Sequence, residues 1–191
     1  MPIWKKLLVV LPAFLMLHLT ATGAAPLLDG LRELWRPAGF DEVYFLAGFP
    51  AGYAMGAAVG ITAAPGRTRP ILALALAVSV AGSYWFAEIA SGFAGSAAAL
   101  ALSGFAAGLA LPVTARALGL TRNVIAGAIM AVLAAAGWWL SLPFVDYFEQ
   151  GLPIGGTPGW AGPYYAQGLL CVVWLPLLLL LGGERVPGRR R

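Results

Sequence analysis

An all-α membrane protein with six transmembrane helices is the fold this chain predicts, and three observations predict it. Of the 191 residues, 60% are hydrophobic and 10% are charged, with a mean hydropathy of +0.82, more apolar than ordinary soluble domains. The charges fall so as to leave six charge-free intervals, 7–28, 43–66, 70–87, 89–115, 123–145 and 150–183, against a requirement of about 20 apolar residues per spanning helix. The basic residues gather at the two ends and in alternate gaps between those intervals.

That alternation sets an expected orientation. Lys5 and Lys6, Arg67 and Arg69, Arg116 and Arg122, and the group Arg185, Arg189, Arg190 and Arg191 all fall on one side of a six-helix arrangement. The other side receives Arg32 and Arg36 diluted by Asp29, Glu33, Asp41 and Glu42, together with Asp146 and Glu149. The excess of Lys and Arg in short cytoplasmic loops then puts both termini in the cytoplasm, for a protein of the bacterial inner membrane type. A cleaved leader over the first interval would leave five helices and place the C-terminal arginines across from the new N-terminus, so six spans are expected. The sequence pI near 9.6 has its explanation in this charge bias, and a nucleic-acid partner is not expected; the lipid bilayer is.

The elements follow in order. The first helix carries His18, about twelve residues beyond Lys6 and past the middle of the span, with Thr22 one turn further on the same face. An ionisable group at that depth is costly without a role or a partner. It reads either as a substrate or proton site or as a neutral imidazole bonded to a neighbouring helix. The second helix carries Gly48, Gly52, Gly56 and Gly60 at i+4 spacing, a bare stripe that another helix can approach closely. Two contacts fit it, packing within the chain or a junction with a second bundle. The third helix ends in Tyr84, Trp85 and Phe86 before Glu88, about 27 Å beyond Pro70, as an aromatic belt and an interfacial carboxylate would be placed. The fourth carries Ser96, Gly104 and Gly108, and the fifth repeats the small-residue stripe with Gly127, Ala131 and Ala135. Trp138 and Trp139 read as belt residues, the stretch 146–162 as a long external loop, Cys171 as a packing residue and Leu178 as facing lipid. Tyr53 and Ser103 join His18 and Thr22 as candidates for a substrate path.

Helices one to three and four to six form two three-helix units, and an odd number of spans per unit makes the second inverted relative to the first. One His, one Cys and no close acidic pair within a span exclude a metal ligand set and a Ser-His or Cys-His nucleophile in the membrane. No metal, cofactor or enzymatic activity is expected.

The stretch Gly52-Tyr-Ala-Met-Gly56-Ala-Ala-Val-Gly60 followed by Gly66-Arg67-Thr68-Arg69-Pro70 resembles the second helix and following basic loop of the major facilitator superfamily. The segment Leu102-Ser-Gly104-Phe-Ala-Ala-Gly108-Leu-Ala-Leu-Pro112 is similar to that family's fourth helix, and Gly159-Trp160 to its loop before the sixth. The resemblance spans most of this chain and half of a twelve-helix member. It departs at Ala64 and Pro65, where the family has an acidic residue, and at Leu100, where the family often has an arginine. What it implies is a half-size transport protein for a small solute, completed as a homodimer or by another membrane subunit, with the stripe of the second helix at the junction. The competing expectations are a non-catalytic subunit of a larger respiratory or photosynthetic membrane complex, and the substrate-binding membrane component of a vitamin transporter.

Overall fold

The computed structural model describes residues 3–21, 42–63, 66–89, 93–120, 124–151 and 159–181. Among them are six α-helices and no strand: α1 Ile3–Met16, α2 Glu42–Thr62, α3 Thr68–Tyr84, α4 Phe93–Leu118, α5 Val124–Gly151 and α6 Gly162–Leu181. A π-helical turn, Trp85–Ile89, extends α3, and a 3₁₀ turn, Gly159–Ala161, leads into α6. Four stretches are long and apolar enough to cross a bilayer, Thr68–Glu88, Ala94–Leu118, Val124–Phe148 and Gly159–Leu180; the apolar parts of α1 and α2 are shorter. Every helix but α3 holds a proline inside it, Pro12, Pro50, Pro112, Pro143 and Pro176, a frequency that membrane helices tolerate and soluble ones do not.

Two boundaries differ from expectation. The first apolar interval, 7–28, was expected to hold one spanning helix, but α1 ends at Met16, just before the His18 ring takes the Phe14 carbonyl; residues 22–28 lie outside the described residues. Between the fifth and sixth intervals, α5 runs through Asp146 to Gly151, so the acidic residues expected in a loop continue a helix, and α6 begins only at Gly162.

The glycine stripe of α2 packs inside the chain, against α4. A Cβ built on Gly52 or Gly56 would collide with the carbonyl oxygens of Ala101 and Phe105, and one on Gly48 would lie 2.7 Å from that of Ala97. The approach is reciprocal, since Gly104 and Gly108 of α4 seat against the carbonyl oxygens of Phe49 and Tyr53. Both sets of partners advance together along the chain, so α2 and α4 run parallel. Backbone contact of this kind is a main source of association where lipid removes the hydrophobic drive between helices. The stripe is therefore spent within the monomer, and the expected junction with a second bundle on that surface is corrected.

The stripe of α5 is the opposite case: Gly127, Ala131 and Ala135 are exposed, and nothing lies within 4 Å of a Cβ on Gly127. α5 meets the rest at a few points, one of them Gly137 against the His18 side chain. The two helix triplets are therefore packed differently, α2 locked to α4 while α5 stands outside, and the packing does not follow an inverted two-fold repeat. Leu178 is likewise corrected from lipid-facing to buried, at 1% exposure.

The ends of α2 and α4 are tied together. Arg116 donates to the Gly60 carbonyl at 2.6 Å and the Ile61 carbonyl at 3.1 Å, capping the electronegative C-terminus of α2. α4 itself ends in a Schellman turn, with Leu120 N–H on Ala115 O at 2.8 Å, Gly119 N–H on Arg116 O at 3.1 Å and Gly119 at φ 75°. Arg116, in the last turn of α4, and the turn bearing Arg67, which follows α2, thus lie at one end of the bundle. Arg116→Ala is expected to cost about 1 kcal/mol, read as a lower unfolding midpoint in detergent; an unchanged midpoint would show that water serves those carbonyls equally well.

Candidate functional site: a broken helix and its buried polar cluster

Past Met16 the backbone leaves the α-helical pattern. Leu17 N–H still reaches Ala13 O, but His18 bonds back to Leu15, Leu19 to Met16 and Ala21 to His18, all three residues apart, at 3.0, 3.3 and 3.0 Å. The tightening strands the Phe14 carbonyl, and the His18 ring takes it, with Nδ1 2.7 Å away. A carbonyl only accepts, so Nδ1 carries the proton and Nε2 of the neutral ring is left as an acceptor. Nε2 faces the Tyr53 hydroxyl at 3.4 Å, a long contact in which the phenol donates.

His18 is fully buried where α1, α2 and α5 converge. Phe14 lies over its ring at 4.4 Å, Tyr53 meets it edge-on at 5.7 Å and Trp138 meets Tyr53 edge-on at 5.9 Å. Gly137 makes room, because a Cβ there would lie 2.8 Å from that of His18. Tyr53 is half-buried and Trp138 is 42% exposed. The sequence His18, Tyr53, Trp138 thus leads from the interior to the outer face of α2 and α5.

The second half of the cluster centres on Gln167 of α6, fully buried. Its Oε1 accepts from Thr20 at 2.6 Å and from Ser83 at 2.8 Å, and its Nε2 donates to the Met16 carbonyl at 3.1 Å. One amide therefore joins α1, α3 and α6 and adds a second donor, beside the Leu19 N–H, to the carbonyl at which α1 stops. Trp174 adds a second tie two turns along, Nε1 donating to Val9 O at 3.0 Å; the pairings 16 with 167 and 9 with 174 make α1 and α6 antiparallel.

Of the residues expected to line a path, His18 and Tyr53 come together. Ser103 does not join them: it is buried against α3, where a Cβ on Gly82 would lie 2.8 Å from its Oγ, and that oxygen has no hydrogen-bond partner among the described residues. Thr22 lies outside the described residues. Glu88 is exposed, as an interfacial carboxylate would be, and accepts from the Tyr165 hydroxyl. The residues that sequence reasoning passed over are Gln167, Thr20 and Ser83. Gln167 had a signal, as the one amide in the interior of an apolar interval, but attention to ionisable groups alone left it unread. Among the described residues no group of three His, Cys, Asp or Glu side chains is placed to hold a metal ion. Compared with models of protein families, with curated proteins and with solved structures, the chain matches none.

Proposed function

We propose that the protein is an integral membrane protein of the bacterial inner membrane with both termini cytoplasmic, and that it works as a half-size transport unit for a small solute, in the manner of one half of a major facilitator. The observation that carries this reading is the position of His18: a buried base at the broken end of α1, its Nε2 turned as an acceptor toward Tyr53, one ring away from the exposed Trp138. Interrupted helices that present polar groups at membrane depth are the usual construction of substrate and ion sites in transporters. A second copy laid on the α2–α5 face, where the α5 stripe is unoccupied, would close the path that one chain leaves open. The α2 glycines take no part in that junction.

Uptake into proteoliposomes, with and without a pH gradient across a panel of small solutes, tests the proposal. Wild type is expected to accumulate a solute with the gradient. His18→Gln, which preserves a donor for the Phe14 carbonyl but has no titrating base, is expected to lose coupled accumulation and keep exchange. Equal coupling in the variant contradicts the role given to His18.

A second reading has its own observation. The polar atoms of Gln167 are paired within the chain, which is what a scaffold subunit of a larger membrane complex would show, with α5 as the face that meets its neighbours. Stable co-purification of an unrelated membrane complex, with uptake absent, would select it.

A further inference from the structure

On the far side of α6 from α1, a partly open cavity of about 240 Å³ lies between α3 and α6, lined by Val80, Tyr84, Tyr164, Tyr165, Gly168 and Leu169. It exceeds the roughly 150 Å³ at which an apolar cavity admits benzene. Gly168 opens it: a Cβ there would meet nothing nearer than the Ser83 side chain at 3.9 Å. Two polar features accompany these apolar walls. The Tyr164 hydroxyl is fully buried, with no hydrogen-bond partner among the described residues, while its ring stacks on Phe86 at 4.0 Å. Beyond it, at the end of the π-helical turn, Glu88 is exposed and held by the Tyr165 hydroxyl, and no cation faces it among the described residues.

A buried hydroxyl without an acceptor carries a desolvation cost that a bound ligand would relieve. A carboxylate anchored by one hydroxyl beside an apolar groove, with no cation of the described residues against it, suits a cation that can donate hydrogen bonds. One class of molecule supplies an apolar chain, a carbonyl acceptor and a primary ammonium in that order. We propose that the α3–α6 groove binds a phosphatidylethanolamine, with part of an acyl chain beside Gly168 and Leu169, an ester carbonyl accepting from Tyr164, and the headgroup ammonium on Glu88. Phosphatidylglycerol lacks the cation, and the quaternary nitrogen of phosphatidylcholine has no N–H to donate. The proposal rests on the membrane reading given above.

Native mass spectrometry of the full chain tests it, after incubation in mild detergent with an equimolar mixture of phosphatidylethanolamine, phosphatidylglycerol and phosphatidylcholine. Wild type is expected to retain the ethanolamine lipid preferentially. Glu88→Gln, an exposed and conservative change, is expected to lower the ratio of ethanolamine to glycerol lipid about tenfold, and Gly168→Leu to lower retention of all three by filling the groove. Should Gly168→Leu fail to fold, Glu88→Gln still decides. No preference in wild type, or an equal ratio in Glu88→Gln, overturns the site. An alkaline carbonate wash keeps the two claims apart: release of the chain from membranes overturns the membrane reading and the site with it, whereas retention together with an equal ratio overturns the site alone.

Discussion

Replacing Gly52 and Gly56 together by Leu is expected to destroy the native bundle. Both positions place a new side chain against backbone carbonyl oxygens of α4, at Ala101 and Phe105, and backbone cannot rotate away as a side-chain tip can. Overpacking a close contact costs about 1–3 kcal/mol per site and more when the obstacle is rigid, so the pair should lower stability by about 5 kcal/mol. For a chain of this size that corresponds to a fall of about 10–20 °C in the unfolding midpoint, measured by thermal denaturation in detergent. Gly52→Ala alone should already be destabilising. The matched controls are Gly127→Leu on the open stripe of α5 and Leu180→Ala at a position 78% exposed, each expected within about 0.5 kcal/mol of wild type. Leu178, buried at 1%, is no control for lipid-facing tolerance. A double variant as stable as wild type would show that α2 and α4 do not touch along this seam.

The second large effect is expected at Gln167. Gln167→Leu removes the acceptor of Thr20 and Ser83 and the donor to the Met16 carbonyl in a single change. Each buried polar group left unpaired costs about 1–3 kcal/mol. The Met16 oxygen keeps the Leu19 N–H, so the expected loss falls mainly on the two buried hydroxyls and is about 2–4 kcal/mol. A double-mutant cycle with Ser83→Ala should give a coupling of about 1 kcal/mol. Additivity of the two changes would mean that the Ser83 bond contributes nothing to the fold.

The contrast between these two sites shows what the sequence carries and what it withholds. The six helices were legible because charge spacing and bilayer thickness set them independently of tertiary structure, and the α2 stripe was legible as a close-contact surface because glycine at i+4 has few other uses in lipid. Its partner was not legible. Gly48–Gly60 and Gly127–Ala135 look alike in sequence, yet one is covered by α4 and the other is bare, because the difference lies in which neighbour has a complementary row. Ala97, Ala101 and Phe105 supply that row in α4 at matching i+4 spacing, with Gly104 and Gly108 as a second row beside it. The end of α1 at Met16 was hidden for a related reason: His18 and Thr20 are too few polar residues to mark a helix end in an apolar interval, and their partners at the break, Tyr53 and Gln167, are distant in sequence. His18 stood out as the lone basic group inside an apolar interval; its pairing with Tyr53 rather than Ser103 depends on helix rotation, which hydrophobic periodicity barely encodes when helices are apolar all round.

The central claim is that His18 and Tyr53 border a water-accessible path rather than a closed core. With Cys171 replaced by Ala and Tyr53 by Cys, reaction with a membrane-impermeant maleimide, applied separately to right-side-out and inside-out vesicles, measures this without knowledge of the solute. Gly66→Cys, in the exposed turn beside Arg67, serves as the reference for the side proposed to be cytoplasmic. The account predicts labelling at position 53 from at least one side, together with cytoplasmic labelling at position 66. An unreactive thiol at position 53 from both sides, in vesicles where position 66 labels normally, would contradict it.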